Sequence, residues 1–155
     1  MSVEEGAAAP DFTLPASGGR TVSLAAMKGK PLVLYFYPKA DTSGCTKEAC
    51  DFQEALPALQ QAGLDVIGIS PDPMGPIEKF AAKYNLTFPL ASDAEKQAAG
   101  AYGTWVQKSM YGRTYMGMER STFLIDREGK VARVWRKVKV PGHAKAVMDA
   151  ARQLG

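Results

Sequence analysis

Apolar positions along the chain switch between a continuous pattern and a helical one. Leu32-Val33-Leu34-Tyr35-Phe36-Tyr37 is an unbroken apolar run, bounded by Gly29-Lys30 and by Pro38. Such a run predicts a central strand buried on both faces. Residues 64–70 read as a second buried strand. Between them, 45–61 has helical character and ends at Gly63, with Pro57 predicting a kink or break. A further helix is expected over 77–84, placing Ile77, Phe80, Ala81 and Tyr84 on one face. A short strand at 88–91 and a short helix at 94–102 follow, and 103–117 reads as long and irregular. Residues 121–125 and 131–138 alternate like antiparallel strands around the turn Asp126-Arg127-Glu128-Gly129. Pro141-Gly142-His143 opens a last helix ending at Leu154. Near the start, strands at 12–14 and 21–23 around Ser17-Gly18-Gly19 predict a hairpin.

Strands and helices thus alternate and then give way to a hairpin. That order predicts an α/β fold: a mixed central sheet, parallel at its centre, with helices on both faces. Reactive groups in such sheets sit where a central strand hands over to a helix at its carboxyl end. Cys45 stands at that place after the 32–37 strand. No repeat, low-complexity segment or linker divides the chain, so one domain over 1–155 is expected.

Composition narrows the function classes. Of 155 residues, 46% are hydrophobic and 23% charged, which excludes collagen-like, disordered and disulfide-scaffold chains. Nineteen Lys and Arg against sixteen Asp and Glu give a net charge of +3. The basic residues are spread out, apart from Arg133, Arg136, Lys137 and Lys139, so no nucleic-acid partner is expected. The N-terminal Met1-Ser2-Val3-Glu4-Glu5-Gly6 is acidic and lacks the basic region and apolar run of a signal peptide. No apolar stretch approaches the ~20 residues of a membrane-spanning helix. The expected location is the cytoplasm, where thiols are kept reduced and a cysteine pair points to catalysis or metal binding.

The two cysteines, Cys45 and Cys50, carry the chemistry. Cys45 falls in a first helical turn, after Asp41, Thr42 and Ser43 as candidate N-caps. There, unpaired N–H groups and the helix dipole favour the thiolate, which is the nucleophilic form. Its neighbours 41–44 and 46–48 are polar, which speaks against a buried structural thiol. On an intact helix, residues five apart have Cα atoms ~8.6 Å apart. A disulfide needs roughly 4.4–6.8 Å. Either the two never pair, or pairing requires the first turns to unwind. A static structural bridge is disfavoured. Zinc is disfavoured too, since two cysteines and the single distant His143 do not make four ligands. A cysteine hydrolase would need His143 as its base. A redox-sensing module that switches partners is a further alternative, separable from an enzyme by turnover with peroxide.

Pro38-Lys39-Ala40-Asp41-Thr42-Ser43-Gly44-Cys45 resembles the P-x-x-x-T-x-x-C signature of peroxiredoxins. Thr46-Lys47-Glu48-Ala49-Cys50 is similar to the bacterioferritin comigratory protein, or peroxiredoxin Q, branch. Ala9-Pro10-Asp11-Phe12, Val66 to Ser70, Tyr111-Gly112-Arg113, Glu119 to Asp126 and Gly142-His143-Ala144 also fit that branch in order. Ser43 stands where the branch more often has Pro, and Ala40 where it more often has an acidic residue. The resemblance implies a thioredoxin-like fold and a thiol peroxidase that needs no metal, flavin or haem. It implies Cys45 as peroxidatic and Cys50 as resolving cysteine, joined transiently in an intramolecular disulfide. Thr42 would bond peroxide and thiolate, Pro38 would shield the site, and Arg120 would supply the cation. With them, Gly44 would let the backbone approach the substrate, and Thr42, Gly44, Cys45 and Arg120 would form the substrate site. The implied partners are hydrogen peroxide or an organic hydroperoxide and a dithiol reductant such as thioredoxin. No exposed apolar patch is evident in the sequence, so a monomer is the first expectation and a homodimer the second.

Overall fold

The structure, a computed structural model, describes residues 3–154. Met1 and Ser2 of the acidic N-terminal stretch and Gly155 lie outside the described residues. The elements in order are β1 (Thr13–Ala16), β2 (Arg20–Ser23), β3 (Leu32–Phe36), α1 (Ser43–Gln61), β4 (Asp65–Ser70), α2 (Met74–Lys83), β5 (Leu90–Ser92) and α3 (Gln97–Tyr102). They continue with β6 (Trp105–Met110), β7 (Arg113–Met118), β8 (Ser121–Ile125), β9 (Val131–Trp135) and α4 (His143–Arg152).

Seven strands form one sheet in the order β2-β1-β5-β4-β3-β8-β9. β3, β4 and β5 run parallel, while β8 pairs antiparallel with both β3 and β9. β1 and β2 are the expected N-terminal hairpin, joined to the sheet through β5. The apolar run of β3 divides between two cores. Val33, Tyr35 and the following Tyr37 pack with α1, α2 and α4. Leu32, Leu34 and Phe36 pack with α3 and the hairpin. All five β3 residues are buried, as a central strand covered on both faces requires.

Four expectations change. Residues 103–117 are not irregular: β6 and β7 make a separate two-stranded sheet in continuous register from Trp105↔Met118 to Met110↔Arg113. Tyr111 and Gly112 turn it, both at positive φ, the geometry of a tight hairpin turn. The strand expected over 131–138 stops at Trp135. Beyond it, the Val138 N–H donates to the Arg120 carbonyl at 3.0 Å. Helix α1 runs through Pro57 without a break. Finally, the short strand before α3 is displaced to Leu90–Ser92, past Pro89, which has no N–H to give.

The β3–β8 register sets Phe36 opposite Ser121. The exit from β3 and the entry to β8 therefore share one end of the sheet. The loop 37–42 and α1 leave from the first, and Arg120 precedes the second.

Candidate active site

Helix α1 carries its apolar stripe on Cys45, Ala49, Phe52, Leu56 and Leu59, the i, i+4, i+7, i+11, i+14 spacing of a core-facing stripe. Cys45 begins that stripe and is 1% exposed. The expectation that polar neighbours keep it out of the core is corrected here. Residues adjacent in sequence point elsewhere on a helix, and positions three and four apart decide which way a side chain faces. The same face holds Glu48, also 1% exposed.

Arg120 reaches this pair from the β7–β8 junction. Its backbone is held on both sides, by the Val138 N–H on its carbonyl and by the Glu119 N–H donating to Thr104 at 2.7 Å. Its Nη1 donates to Glu48 Oε1 at 2.6 Å and its Nη2 to Cys45 Sγ at 3.3 Å. One planar guanidinium thus spans two buried groups, each able to carry negative charge, as a rigid fork can. A Cβ placed on Gly44 would stand 3.2 Å from Nη2, so this glycine makes room for the arginine as well as for any substrate.

Burial pushes the Glu48 carboxyl from 4.5 up to about 7, against the opposing pull of the Arg120 charge and hydrogen bond. Tyr35 and Tyr37 lie under the site and are driven above the ordinary phenol range, chiefly by burial, and stay neutral. Glu48 was missed by the sequence reading. The signal that could have found it is its place three residues after Cys45 and four before Phe52, on the buried face of one helix.

The loop entering α1 is tied down from α2 and from the 70–72 segment. The Asp41 carboxylate accepts from Lys83 Nζ and Tyr84 Oη, both at 2.9 Å, while its backbone sits at φ 60°. The Ala40 N–H donates to Asp72 at 2.7 Å. Thr42 is the N-cap residue, but its hydroxyl makes no cap bond and donates instead to the Lys39 carbonyl at 2.9 Å. Pro38 is half-buried, separated from the end of β3 by one residue. Cys50 is a free, half-buried thiol inside the same unbroken helix as Cys45. The fold therefore joins Cys45, Gly44 and Arg120 in one cluster, sets Thr42 and Pro38 in the loop leading to it, and leaves Cys50 at helical distance.

His143 is not aimed at Cys45. Its Nε2 lies 2.7 Å from Thr122 Oγ1, with Phe52 and Trp135 edge-on to the ring. Burial, with Arg120 second, pulls it down to about 4. The base that a cysteine hydrolase needs is engaged elsewhere. Among the described residues, no group of three His, Cys, Asp or Glu could hold a metal ion. No helix among them is long and apolar enough to cross a membrane.

Comparison with known proteins matches residues 6–134 to the AhpC/TSA family. The chain is 45% identical over 154 residues to the peroxiredoxin Bcp of Bacillus subtilis, covering 99% of this chain and 98% of that one. It is 40% identical over 147 residues to the peroxiredoxin Bcp of Escherichia coli K12, covering 95% and 94%. Among solved structures it superposes on the Xanthomonas campestris bacterioferritin comigratory protein with a TM-score of 0.90 at 44% identity, covering 97% and 96%. That structure comes from trapped intermediate and ligand complexes bearing on the protein's alkyl peroxide reduction activity.

Proposed function

The chain belongs to the AhpC/TSA family of thiol-dependent peroxidases, and from that premise we propose that Cys45 is its peroxidatic cysteine and Cys50 its resolving one. The sheet and helices are the thioredoxin-like architecture of its peroxiredoxin neighbours. The observation that carries the assignment is the contact of Arg120 Nη2 with Cys45 Sγ at 3.3 Å, at the start of a helix.

The chemistry follows from that contact. Cys45 thiolate attacks the distal oxygen of a hydroperoxide in line with the O–O bond. An S–O bond forms, the O–O bond breaks, and negative charge grows on the leaving oxygen. Arg120, always charged and donating from a fixed plane, stabilises that growth together with N–H groups of the first turn of α1. Thr42 turns its hydroxyl from Lys39 towards the bound peroxide, and Pro38 limits water. The product is Cys45 sulfenic acid. Cys50 cannot reach it along an intact helix, since Cα atoms five apart lie ~8.6 Å from each other. The start of α1 unwinds, Cys50 sulfur displaces the sulfenic oxygen as water, and an intramolecular disulfide forms. A dithiol protein of the thioredoxin type reduces it by exchange. Both hydrogen peroxide and organic hydroperoxides are substrates in this reading. The enzyme works as a monomer, a single domain over 1–155, in the reducing cytoplasm.

Peroxide consumption by wild type, Cys45→Ser and Cys50→Ser with a thioredoxin system tests the assignment. Wild type should turn over, Cys45→Ser should be inert, and Cys50→Ser should react once and stall. Turnover by Cys45→Ser at the wild-type rate would overturn it. A single equivalent consumed by wild type despite the reductant would instead favour a redox-sensing module.

A further inference from the structure

Two buried groups that can each be anionic share one cation. Arg120 gives Nη1 to Glu48 Oε1 at 2.6 Å and Nη2 to Cys45 Sγ at 3.3 Å, and its own side chain is 16% exposed. Cys45 and Glu48 are each 1% exposed, so water screens neither. Glu48 Oε2 is buried with no hydrogen-bond partner among the described residues. One carboxylate oxygen thus accepts from Arg120 and the other has nothing, which leaves the ionised form poorly satisfied. Two negative charges against one guanidinium are one too many for such a place. Ionisation of either group opposes ionisation of the other.

We propose that Glu48 is a proton-holding residue that acts through Arg120: it keeps a proton while Cys45 is a thiolate and gives it up as the sulfur loses its charge on oxidation. This rests on Cys45 being the peroxidatic cysteine. The balanced step is Cys45–S⁻ + HO–OR + Glu48–COOH → Cys45–S–OH + HO–R + Glu48–COO⁻. Sulfur is oxidised by two electrons, the peroxide bond is reduced, and the alkoxide's proton is matched by the one released from Glu48. The site carries one negative charge beside Arg120 before and after. The cation therefore never faces an empty partner, and the reaction moves no net charge into or out of the core.

The other groups around the site do not compete for this role. From β3 and the residue after it, Tyr35 and Tyr37 stay protonated, driven above the ordinary phenol range by burial. From α4, His143 is pulled down to about 4, chiefly by burial, and is neutral near pH 7. From α1 itself, Asp51 is tied to Lys47 at 2.6 Å and only adds to the push that raises Glu48. That push, led by burial, sets the Glu48 carboxyl at about 7, where a proton can be held or released.

Proton counting tests it. A thiolate that becomes a sulfenic acid takes up one proton from solvent for the leaving alkoxide, unless a neighbour supplies the charge. The experiment uses the full chain with Cys50→Ser, so that oxidation stops at the sulfenic acid. One equivalent of hydrogen peroxide is mixed in weak buffer with a pH indicator. Protons taken up are divided by thiolate absorbance lost, with sulfenic acid on Cys45 counted by mass. The expected profile falls towards zero protons where Glu48 is protonated beside the thiolate and ionised beside the sulfenic acid, and it rises towards one at higher pH, where Glu48 is ionised throughout, and at lower pH, where it is protonated throughout. Adding Glu48→Gln should restore one proton per thiolate across the range and raise the thiolate fraction at fixed pH. One proton per thiolate at every pH in the Cys50→Ser protein overturns the proposal, whether or not the Gln variant folds. If no sulfenic acid forms on Cys45, the proposed function fails and this inference with it.

Discussion

Removing Arg120 should destabilise the fold by an amount that depends on pH, with an onset set by Glu48. Burial raises that carboxyl from 4.5 to about 7, and Arg120 is what keeps it from rising further. Below pH 4.5 the group is protonated in both folded and unfolded chains. Between 4.5 and about 7 the folded chain keeps a proton that the unfolded chain has released. Stability therefore falls as pH rises through that window, by about 1.4 kcal/mol per pH unit for a single group. Above about 7 the folded carboxyl is ionised too as long as position 45 carries no charge, and the fall stops. In Arg120→Ala both lowering influences are gone, so the folded carboxyl keeps its proton to higher pH and the fall continues. With respect to this group the two proteins run parallel below about pH 7 and then diverge. By about pH 9 the variant should have lost roughly 2–3 kcal/mol more than wild type, at or just below the 3–5 kcal/mol that an unpaired buried charge costs. For a chain of this size that is ~5–10 °C in Tm. Arg120→Lys keeps the charge without the fork and should recover part of the difference. The assay is thermal unfolding of all three proteins, each also carrying Cys45→Ser so that no thiolate shares the guanidinium, by circular dichroism from about pH 6 to 9 at one ionic strength. A constant offset between Arg120→Ala and wild type over that range would refute the reasoning, because Glu48 would then not be balanced between burial and Arg120.

Other outcomes follow from the same geometry. Losing the guanidinium at Cys45 should lower the second-order rate with peroxide by about 10²–10³ in Arg120→Ala and by less in Arg120→Lys; stopped-flow reaction of the reduced proteins measures it, and equal rates would remove Arg120 from the site. Gly44→Ala would place a methyl 3.2 Å from Nη2 and also favours helix by about 1 kcal/mol; it should slow the peroxide step several-fold, slow disulfide formation and increase over-oxidation of Cys45, all readable by mass spectrometry. Oxidation of wild type should strip amide protection from 42–50 while β3, β4 and β8 stay protected, and identical exchange in reduced and disulfide-bonded samples would mean the bridge forms without unwinding. His143 lies at about 4 against an ordinary 6.5, so the stability its neutral ring contributes is present above 6.5 and lost as pH falls towards 4. The loss is about 3 kcal/mol, and a His143→Gln variant, though less stable at neutral pH, should show a correspondingly flatter acid limb in Tm.

How far the sequence could be read depended on how each element is buried. β3 and β4 are covered on both faces, so their apolar runs are continuous and announce themselves. The β6–β7 hairpin has no such cover: Met110, Tyr111, Tyr115 and Met116 are exposed on it, and polar and apolar residues mix on both faces. Its turn also puts a tyrosine at positive φ, where Asn or Asp would have signalled the hairpin. Pro57 costs α1 one backbone bond, yet the apolar stripe on either side of it stays in phase and holds the helix together. In the site, Cys45 was legible from its place after a central strand. Its burial was not, because its neighbours along the chain are polar, while the helix turns Cys45 onto the face of Ala49 and Phe52. Arg120 lies 75 residues away, and only the β3–β8 register brings it to the sulfur.

In the proposed cycle, the contacts that prepare Cys45 also oppose the step that follows. Cys45 and Ala49 are buried at the start of α1, and Glu48 is paired to Arg120 between them. Unwinding this segment for Cys50 means exposing all three. While Cys45 is a thiolate, the bond from Nη2 is charge-assisted and at its strongest, so the segment stays wound when peroxide arrives. Sulfenic acid is neutral, so the same bond then keeps only the charge of its donor and weakens. Oxidation thus loosens one tie at the moment unwinding is required. The burial of Ala49 and the Glu48–Arg120 pair remain, and they set how long the sulfenic acid waits. A waiting sulfenic acid is open to a second peroxide, so strengthening these remaining contacts should trade resolution for over-oxidation.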